Sequence, residues 1–433
     1  MNITIDNLGG CKKLIRVEVS PEEYQREFDS VATEIQKSVA LPGFRPGKTP
    51  KNLIIKRFEK EIAEEVRENL IRNSLRRAIE EHKLVIVSQP EYEEVQFVAG
   101  QPYLFLLRVE TAPEFELPEY KGIPVKRKLA SVTEQDIEKA LNVLREKQAT
   151  YQTVNRPVEK GDIVVVNFVG YVDSKPLTEI APSAKGLAEQ KNFWVGTDPE
   201  TFLPGFGTQL LGACAGEKRQ VAVLFPAGFQ PQELVGLQAT YEVEVVEVKQ
   251  KVLPELNDEF AKSWGAENLE KLREGVRRDL ERELQYTQKK NIQAQIIQTL
   301  LSRAQFELPE SLVAQETRDI VYDIVAENTR RGVSKGLLEQ HKDEIFRTAM
   351  VNARDRVKLN FILFKIAEKE GIKATPEEIM RRIYTMATLY QIPADKLIKE
   401  LQKRGGIEEI RDKLIIEKTL EFLEANAAIE DVP

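Results

Sequence analysis

A change of pattern near Pro254 constrains the fold more than any other feature of the sequence. Before it, short apolar runs with the two-residue period of strands alternate with helical stretches, and Ile163–Val172 is the clearest strand. Beyond it, apolar residues such as Leu269, Leu272 and Val276 recur at helical spacing in otherwise charged segments. At 433 residues, the chain has the length of about three domains. We therefore predict a multidomain α+β protein with an all-α C-terminal domain.

That C-terminal domain is expected to span residues 250–433. Its helices carry narrow apolar stripes and many Arg/Glu pairs, which favours elongated arms, and a globular helical domain is the alternative. The predicted helices are Leu269–Leu300, Ser311–Thr329, Leu337–Gly371, Pro376–Tyr390, Ala394–Arg404 and Ile407–Ala427.

Residues 1–112 predict an α+β domain whose sheet comes from both ends of the segment. A hairpin pattern covers residues 2–20, and Ser20, Pro21 and Glu23 give the signature of a capped helix start. Helical spacing resumes from Ile54 to Ile79, and strand patterns return at Leu84–Val87, Glu93–Val98 and Tyr103–Glu110.

Between the two helical stretches lies the run Leu41–Pro50, with two glycines and three prolines. These residues predict a defined, exposed loop at the tip of a helical hairpin. Phe44 stands beside Arg45 and Lys48, and no acidic residue occurs from Ile35 to Phe58. An aromatic ring beside cations is typical of a docking surface; the alternative is a plain connector with Phe44 packed into its own domain.

The middle of the chain divides into a linker and a small β domain. Proline and charge mark residues 113–157 as a long linker with one helical piece at Thr133–Thr150. Residues 158–249 predict an antiparallel sheet around one short helix at Phe202–Gly212.

Composition excludes several classes of function. The net charge of −7 argues against extensive nucleic-acid binding. Two histidines leave little for catalysis by a histidine base, and the isolated Cys11 and Cys214 predict neither a disulfide nor a zinc site. No nucleotide-binding glycine loop occurs, so we expect no cofactor and no metal. Without a leader-like N-terminus or a long apolar run, the protein is predicted to be soluble and cytoplasmic, with no membrane contact.

Three strings in this order resemble the bacterial trigger factor family of ribosome-associated chaperones. Gly43-Phe44-Arg45-Pro46-Gly47-Lys48-Thr49-Pro50 is similar to the family's ribosome-docking signature. Residues 161–249 look like an FKBP-type prolyl isomerase domain, and Leu253–Lys262 resembles the family's entry into its C-terminal domain. The resemblance covers essentially the whole chain.

The resemblance implies an ATP-independent chaperone that binds nascent and unfolded polypeptides and keeps them open for folding or export. Its partner would be the large ribosomal subunit near the polypeptide exit, through a ribosomal protein and rRNA, with a homodimer off the ribosome. The C-terminal helices would form the body and two arms. The implied ribosome-binding residues are Gly43, Phe44, Arg45, Gly47, Lys48 and Pro50.

Prolyl isomerisation needs no nucleophile, because an apolar pocket that favours the twisted amide is sufficient. The residues that the resemblance assigns to that pocket, each also a credible core residue, are Phe168, Leu203, Phe206, Phe229 and Tyr241. FKBP domains usually carry an aromatic residue and an acid where this chain has Leu177-Thr178. We therefore expect isomerase activity that is reduced.

Two other functions fit parts of the sequence. A prolyl isomerase with accessory helical domains would turn over peptides rapidly without suppressing aggregation. An RNA-binding protein would use the basic residues around the loop Leu41–Pro50. The acidic net charge and the lack of an aromatic-rich surface for stacking RNA bases disfavour this alternative.

Overall fold

The computed structural model describes residues 1–39, 44, 47–96, 101–199, 201–226, 229 and 231–432, apart from the side chains of Ser183 and Gln232. The chain divides into two compact units. The first consists of Met1–Leu129 and Gln288–Pro433, and the second is Ala130–Thr287. Among the described residues, no helix has an apolar stretch long enough to cross a bilayer.

The N-terminal part of the first unit combines a sheet with helices. Strands β1, β2, β4 and β3 pair antiparallel in that order, which confirms that both ends of the segment build one sheet. The elements up to residue 129 are β1 (Asn2–Gly9), β2 (Lys12–Val19), α1 (Pro21–Ser38), α2 (Lys51–Arg57), α3 (Glu59–His82), β3 (Glu91–Gln96), β4 (Tyr103–Glu110) and β5 (Pro124–Lys128).

Helix α1 begins as the sequence predicts. The Glu23 backbone N–H donates to Ser20 Oγ at 3.3 Å, and the Ser20 N–H donates to Glu23 Oε2 at 3.4 Å. This reciprocal capping box satisfies backbone donors that the helix itself cannot pair. One face of α1 and α3 then packs on the sheet, where Ile15, Phe105 and Leu107 are fully buried.

The predicted strand at Leu84–Val87 is wrong. Only a single bridge forms there, between Ile86 and Thr111. Lys83 ends α3 with a left-handed backbone (φ 52°), and Pro90 follows shortly after. The extended stretch therefore lies between a left-handed helix end and a proline, which lacks an N–H to donate to a ladder.

The second unit is built on an antiparallel sheet. Its central strands follow the order β10-β11-β7-β8, β6 pairs with β11, and β9 pairs with β7. The elements of this part are α4 (Glu134–Lys147), β6 (Thr150–Val154), β7 (Ile163–Val172), β8 (Lys175–Pro176), α5 (Leu177–Ile180), α6 (Lys185–Ala188), β9 (Glu189–Gly196), β10 (Lys218–Leu224), β11 (Gln238–Val252) and α7 (Asp258–Ser263).

The helix predicted at Phe202–Gly212 is mostly absent. Regular helical structure there is a 3₁₀ turn at Gly207–Leu210. Phe202 (φ 65°) and Gly205 (φ 73°) have left-handed backbones, which cannot continue a right-handed helix. The prediction that glycine ends this segment is consistent with Gly212 at φ 77°.

The C-terminal part is helical, as predicted, with the exception of one strand. Where the sequence predicts a single helix at Leu337–Gly371, two helices form and meet at His341, and Ser334 caps the first of them. The remaining elements are α8 (Leu269–Arg303), α9 (Glu310–Arg330), α10 (Lys335–Gln340), α11 (Lys342–Glu370), α12 (Pro376–Leu389), α13 (Ala394–Lys403), α14 (Gly406–Ala425) and β12 (Ala428–Val432).

The exception is β12, since no strand was expected beyond Pro254. It pairs in parallel with β5, and Arg127 and Asp431 form an ion pair at 2.7 Å across the two strands. The predicted linker therefore supplies a strand to the first unit, and its residues 130–157 belong to the second unit. The domain boundaries at residues 112, 157 and 249 stay predictions.

Contacts within the first unit join its N-terminal sheet to the C-terminal helices. Glu110 at the end of β4 accepts hydrogen bonds from the backbone N–H and the hydroxyl of Ser311, at 2.9 and 2.5 Å. A carboxylate at this position stabilises the N-terminus of α9, where unpaired N–H groups and the helix dipole favour negative charge. Lys12 and Glu310 pair beside it at 2.6 Å.

Candidate functional site

In the second unit, the inner face of the sheet carries a cluster of aromatic rings. Phe168 on β7 and Tyr241 on β11 have ring centroids 5.7 Å apart, and Phe206 lies 5.8 Å from Phe168 and 5.3 Å from Tyr241. These distances and the steep angles between the rings are those of edge-to-face packing. Phe193 on β9 and Phe202 complete the group. We call these five residues the aromatic box.

The turn that carries Phe206 is held against the end of β9. A Cβ atom on Gly207 would lie 1.9 Å from the carbonyl oxygen of Gly196, so this close approach requires glycine. Leu203 is fully buried and its carbonyl accepts a hydrogen bond from the Phe206 N–H at 3.0 Å. The tight turn thereby places Phe206 under the sheet.

The floor of the aromatic box is closed to solvent. Leu203, Phe206 and Tyr241 have no exposed surface, and Phe168 is 2% exposed. Leu177 occupies the position where FKBP domains usually carry an aromatic residue, and it is also buried. A Cβ on Gly170 would lie 2.4 Å from Leu177 Cδ1 and 2.6 Å from Tyr241 Cε1. The Leu177 and Tyr241 side chains therefore pack closely over this glycine.

Tyr241 contributes the polar atom of the floor. Its hydroxyl is buried and has no hydrogen-bond partner among the described residues. Burial raises the pKa of this phenol, because the charged form loses its hydration. The hydroxyl therefore stays protonated at neutral pH and is a free donor inside an apolar surface.

The structure brings four of the predicted pocket residues into contact or near contact. They are Phe168, Leu203, Phe206 and Tyr241, all members of one core. Phe229 is half-buried and lies beside Phe225, with ring centroids 4.8 Å apart. Phe193 and Phe202 were not predicted as pocket residues. Phe193 could have been found because alternate side chains of β9 face the core, and Phe202 because it precedes Leu203.

In the first unit, the docking segment Gly43–Pro50 follows α1. Gly43 and Arg45 lie outside the described residues. Phe44 is 41% exposed and Lys48 is exposed, so both side chains are accessible to a partner. Gly47 has φ 75°, a left-handed backbone that favours glycine. The carbonyl of Pro50 accepts from the N–H groups of Leu53 and Ile54 and begins α2.

Two side chains of α1 attach the end of the docking segment. Gln36 Nε2 donates to the carbonyl of Thr49 at 2.5 Å, and Thr49 itself is buried. Lys51 Nζ lies 2.6 Å from Asp29 Oδ1, and this hydrogen bond lowers the pKa of the Asp29 carboxyl. These two contacts anchor the end of the segment to α1, and we call Thr49–Lys51 the stem.

Known protein families match nearly the whole length of the chain. Family models for bacterial trigger factor protein match residues 1–144 and, for its C-terminus, residues 268–425; a model for FKBP-type peptidyl-prolyl cis-trans isomerase matches residues 154–246. A trigger factor of Opitutus terrae is 32% identical over 436 residues, covering 100% of this chain and 99% of the relative. The chain belongs to the trigger factor family.

A second relative supports this assignment. The trigger factor of Caldicellulosiruptor bescii is 33% identical over 435 residues, covering 99% of this chain and 97% of the relative. A solved structure of a trigger factor chaperone covers 98% of this chain and 99% of its own, at 19% identity and a TM-score of 0.47. As a trigger factor, the chain is a ribosome-associated chaperone with an FKBP-type domain, and a prolyl isomerase with merely accessory helices is not favoured.

Proposed function

We propose that this trigger factor binds at the polypeptide exit of the large ribosomal subunit through its docking segment. The supporting observation is the exposed Phe44 ring beside cationic residues in a stretch without acids. Lys48 and Arg45 pair with phosphate or carboxylate groups of rRNA and ribosomal protein, and the arginine can do so through two parallel hydrogen bonds. Phe44 adds apolar contact, while Gly43, Gly47 and Pro50 shape the segment.

Ribosome co-sedimentation tests this proposal. The variant Phe44→Ala/Arg45→Ala/Lys48→Ala is expected to remain in the supernatant, because it loses both the apolar and the charged contacts. A matched control removes one exposed aromatic and two exposed cations elsewhere, as Trp194→Ala/Lys175→Ala/Lys191→Ala. Sedimentation of the docking variant at the wild-type level contradicts the proposal.

The proposed clients are nascent and unfolded polypeptides, bound without ATP chiefly by the C-terminal helices. Large apolar side chains on these helices are exposed, among them Tyr322 (74%) on α9 and Phe346 (51%) and Val351 (58%) on α11. Such side chains provide contact area for unfolded chains. The variant Tyr322→Ser/Phe346→Ser/Val351→Ser should suppress aggregation of a denatured protein less well than wild type while retaining ribosome binding.

We further propose that the free protein forms a homodimer, as the trigger factor family implies. Sedimentation velocity over a range of protein concentrations measures this directly. A sedimentation coefficient that does not increase with concentration contradicts it.

For the second unit we propose weak prolyl cis-trans isomerase activity at the aromatic box. Phe168, Phe206 and Tyr241 of the box supply an apolar surface together with Leu203 and Phe229, which pack in the same core, and transition-state complementarity requires no more than that. The activity is reduced because Leu177-Thr178 replaces the usual aromatic-acid pair and Leu177 fills space beside Tyr241.

A protease-free assay on an Ala-Leu-Pro-Phe peptide measures this activity. Wild type is expected to exceed the spontaneous rate and to remain below ordinary FKBP domains. Leu177→Phe/Thr178→Asp should raise the rate by restoring the aromatic-acid pair. A wild-type rate equal to that of ordinary FKBP domains contradicts the reduction.

A further inference from the structure

We propose that the Phe202 side chain occludes the isomerase site, because its own ring takes the place that a prolyl residue must enter. This inference rests on the proposed isomerase function of the aromatic box. A client is then bound only in the fraction of molecules in which the Phe202 ring has moved aside.

The first observation is the order of burial in the box. Phe202 is half-buried, whereas Phe168 is 2% exposed and Phe206 has no exposed surface. The Phe202 ring centroid lies 5.2 Å from that of Phe168 and 5.3 Å from that of Phe206. Phe202 therefore contacts both solvent and the floor. Any ligand ring that reaches the floor from that side must replace it.

The second observation is the backbone of Phe202. Its φ of 65° lies in the left-handed region, which is unusual for a bulky aromatic residue and strains the backbone. By contrast, Phe206 has ordinary right-handed helical angles (φ −61°, ψ −56°). A residue that served only to fill the core would need neither the strained backbone nor the partial exposure.

The third observation concerns how Phe202 is attached. Its neighbours are fixed, since the Thr201 N–H donates to the Asp198 carbonyl at 3.1 Å and the Leu203 carbonyl accepts from Phe206 at 3.0 Å. Among the hydrogen bonds of the described residues, none involves the backbone of Phe202 itself. The Phe202 peptide groups are therefore held in place by none of these hydrogen bonds, so no such bond opposes a movement of this residue.

On the outer side, the ring packs on another half-buried aromatic. Phe193 lies 4.7 Å from Phe202 and 5.7 Å from Phe168, between centroids. A prolyl ring that replaces Phe202 would therefore be flanked by Phe193 and Phe168 above Phe206.

The experiment compares full-length Phe202→Ala and Phe202→Gly with wild type and with Trp194→Ala. Trp194 follows Phe193 on β9, is 50% exposed, and contacts Tyr151 outside the box. For each protein, kcat/KM on an Ala-Leu-Pro-Phe peptide is measured without protease, and binding of the same peptide is measured by calorimetry. Thermal unfolding shows that each variant is folded.

Both Phe202 variants are expected to bind the peptide more tightly and to isomerise it faster. If the site is open in about one molecule in ten, the increase is about tenfold, because apparent affinity scales with the open fraction. Trp194→Ala should match wild type. Phe202→Gly should also melt at a higher temperature than Phe202→Ala, since glycine adopts the left-handed backbone without strain.

The outcomes separate this inference from the proposed function. A folded Phe202→Gly with unchanged binding and turnover, in a protein whose wild type isomerises the peptide, overturns the role of Phe202 and leaves the isomerase intact. Tighter binding without turnover in any variant supports the role of Phe202 and contradicts the isomerase. Absence of both binding and turnover in every variant overturns both.

Discussion

The tripeptide Pro-Gly-Phe occurs twice in this chain, and its two phenylalanines have opposite environments. Phe44 follows Pro42-Gly43 in the docking segment and is 41% exposed. Phe206 follows Pro204-Gly205 in the aromatic box and has no exposed surface. The local sequence is identical, so the difference arises from what surrounds each tripeptide.

Around Phe206, strands with inward apolar residues provide a surface on which the ring packs. Around Phe44, the neighbouring residues are cations carried on a stem that Gln36 and Asp29 attach to α1. A ring among lysines and arginines has no core of its own to enter. The role of a Pro-Gly-Phe tripeptide in this chain therefore depends on the charge and periodicity of the residues that flank it and not on the tripeptide itself.

The largest expected effect is on stability. Phe206→Ala should lower the free energy of unfolding of the second unit by about 3–5 kcal/mol, because it leaves a cavity in the core. Phe44→Ala should change the stability of the first unit by less than about 0.5 kcal/mol, as exposed side chains usually do. Denaturant unfolding with probes in each unit measures both. Similar losses of stability in the two variants would contradict the difference in environment between Phe206 and Phe44.

The next effect concerns salt. Two cationic contacts with rRNA predict that ribosome affinity falls about tenfold from about 50 to about 200 mM salt, through counterion release. Peptide isomerisation at the box should not change over the same range, because its lining is apolar. Co-sedimentation and the peptide assay in matched buffers test this. Salt-independent ribosome binding would show that Phe44 alone carries the contact.

A smaller effect follows from the unpaired hydroxyl of Tyr241. Tyr241→Phe removes a buried donor without a partner and should stabilise the second unit by about 1 kcal/mol. Burial raises the pKa of this phenol in the folded protein. The free energy of unfolding of wild type is therefore unaffected by this group below the unfolded pKa of about 10 and falls as pH rises above it.

The variant should therefore lose less stability than wild type in denaturant unfolding above pH 10. Tyr151→Phe is the control, since Tyr151 is 39% exposed and its hydroxyl remains accessible to water. Equal alkaline losses for wild type and Tyr241→Phe would mean that water reaches the floor of the box.

The smallest effect concerns the stem of the docking segment. Asp29→Asn removes the partner of Lys51, and because exposed ion pairs are weak, ribosome affinity should fall by about twofold or less. Lys51 lowers the pKa of Asp29 in the folded protein. The stability that this pair contributes is therefore fully present above the unfolded pKa of about 3.9 and is lost as pH falls below it.

The stability difference between wild type and Asp29→Asn should accordingly be present at pH 7 and disappear on acidification below about pH 4. Asp6→Asn, which removes the exposed Asp6–Arg16 pair at 2.7 Å on the hairpin, should leave ribosome binding unchanged. A loss as large for Asp6 as for Asp29 would contradict a specific role of the stem.

Sequence periodicity predicted the parts of the fold that depend on local spacing. The capped start of α1 at Ser20 is an example, since it depends on residues only three apart. The pairing of β5 with β12 could not be predicted, because the pattern of Pro124–Lys128 carries no information about a partner far along the chain.

The candidate site shows the same limit. Phe168, Phe206 and Tyr241 were predicted as pocket residues from the family resemblance alone, since their sequence patterns also fit core residues. The role proposed for Phe202 depends on a left-handed backbone that an aromatic residue rarely adopts. It could not be predicted from the sequence, which indicated a helix at Phe202–Gly212. The exposure of Phe44, in contrast, followed from the composition of its neighbours.

The pairing of β5 with β12 also has a consequence for biosynthesis. Arg127 and Asp431, which face each other across these strands, are 304 positions apart. The second unit, Ala130–Thr287, can complete its core while the ribosome is still translating the chain, but the first unit must wait for its last strand. During that interval the sheet of β1–β4 stands without its C-terminal helices. Synthesis of this ribosome-associated chaperone therefore passes through a long stage in which its first unit is still incomplete.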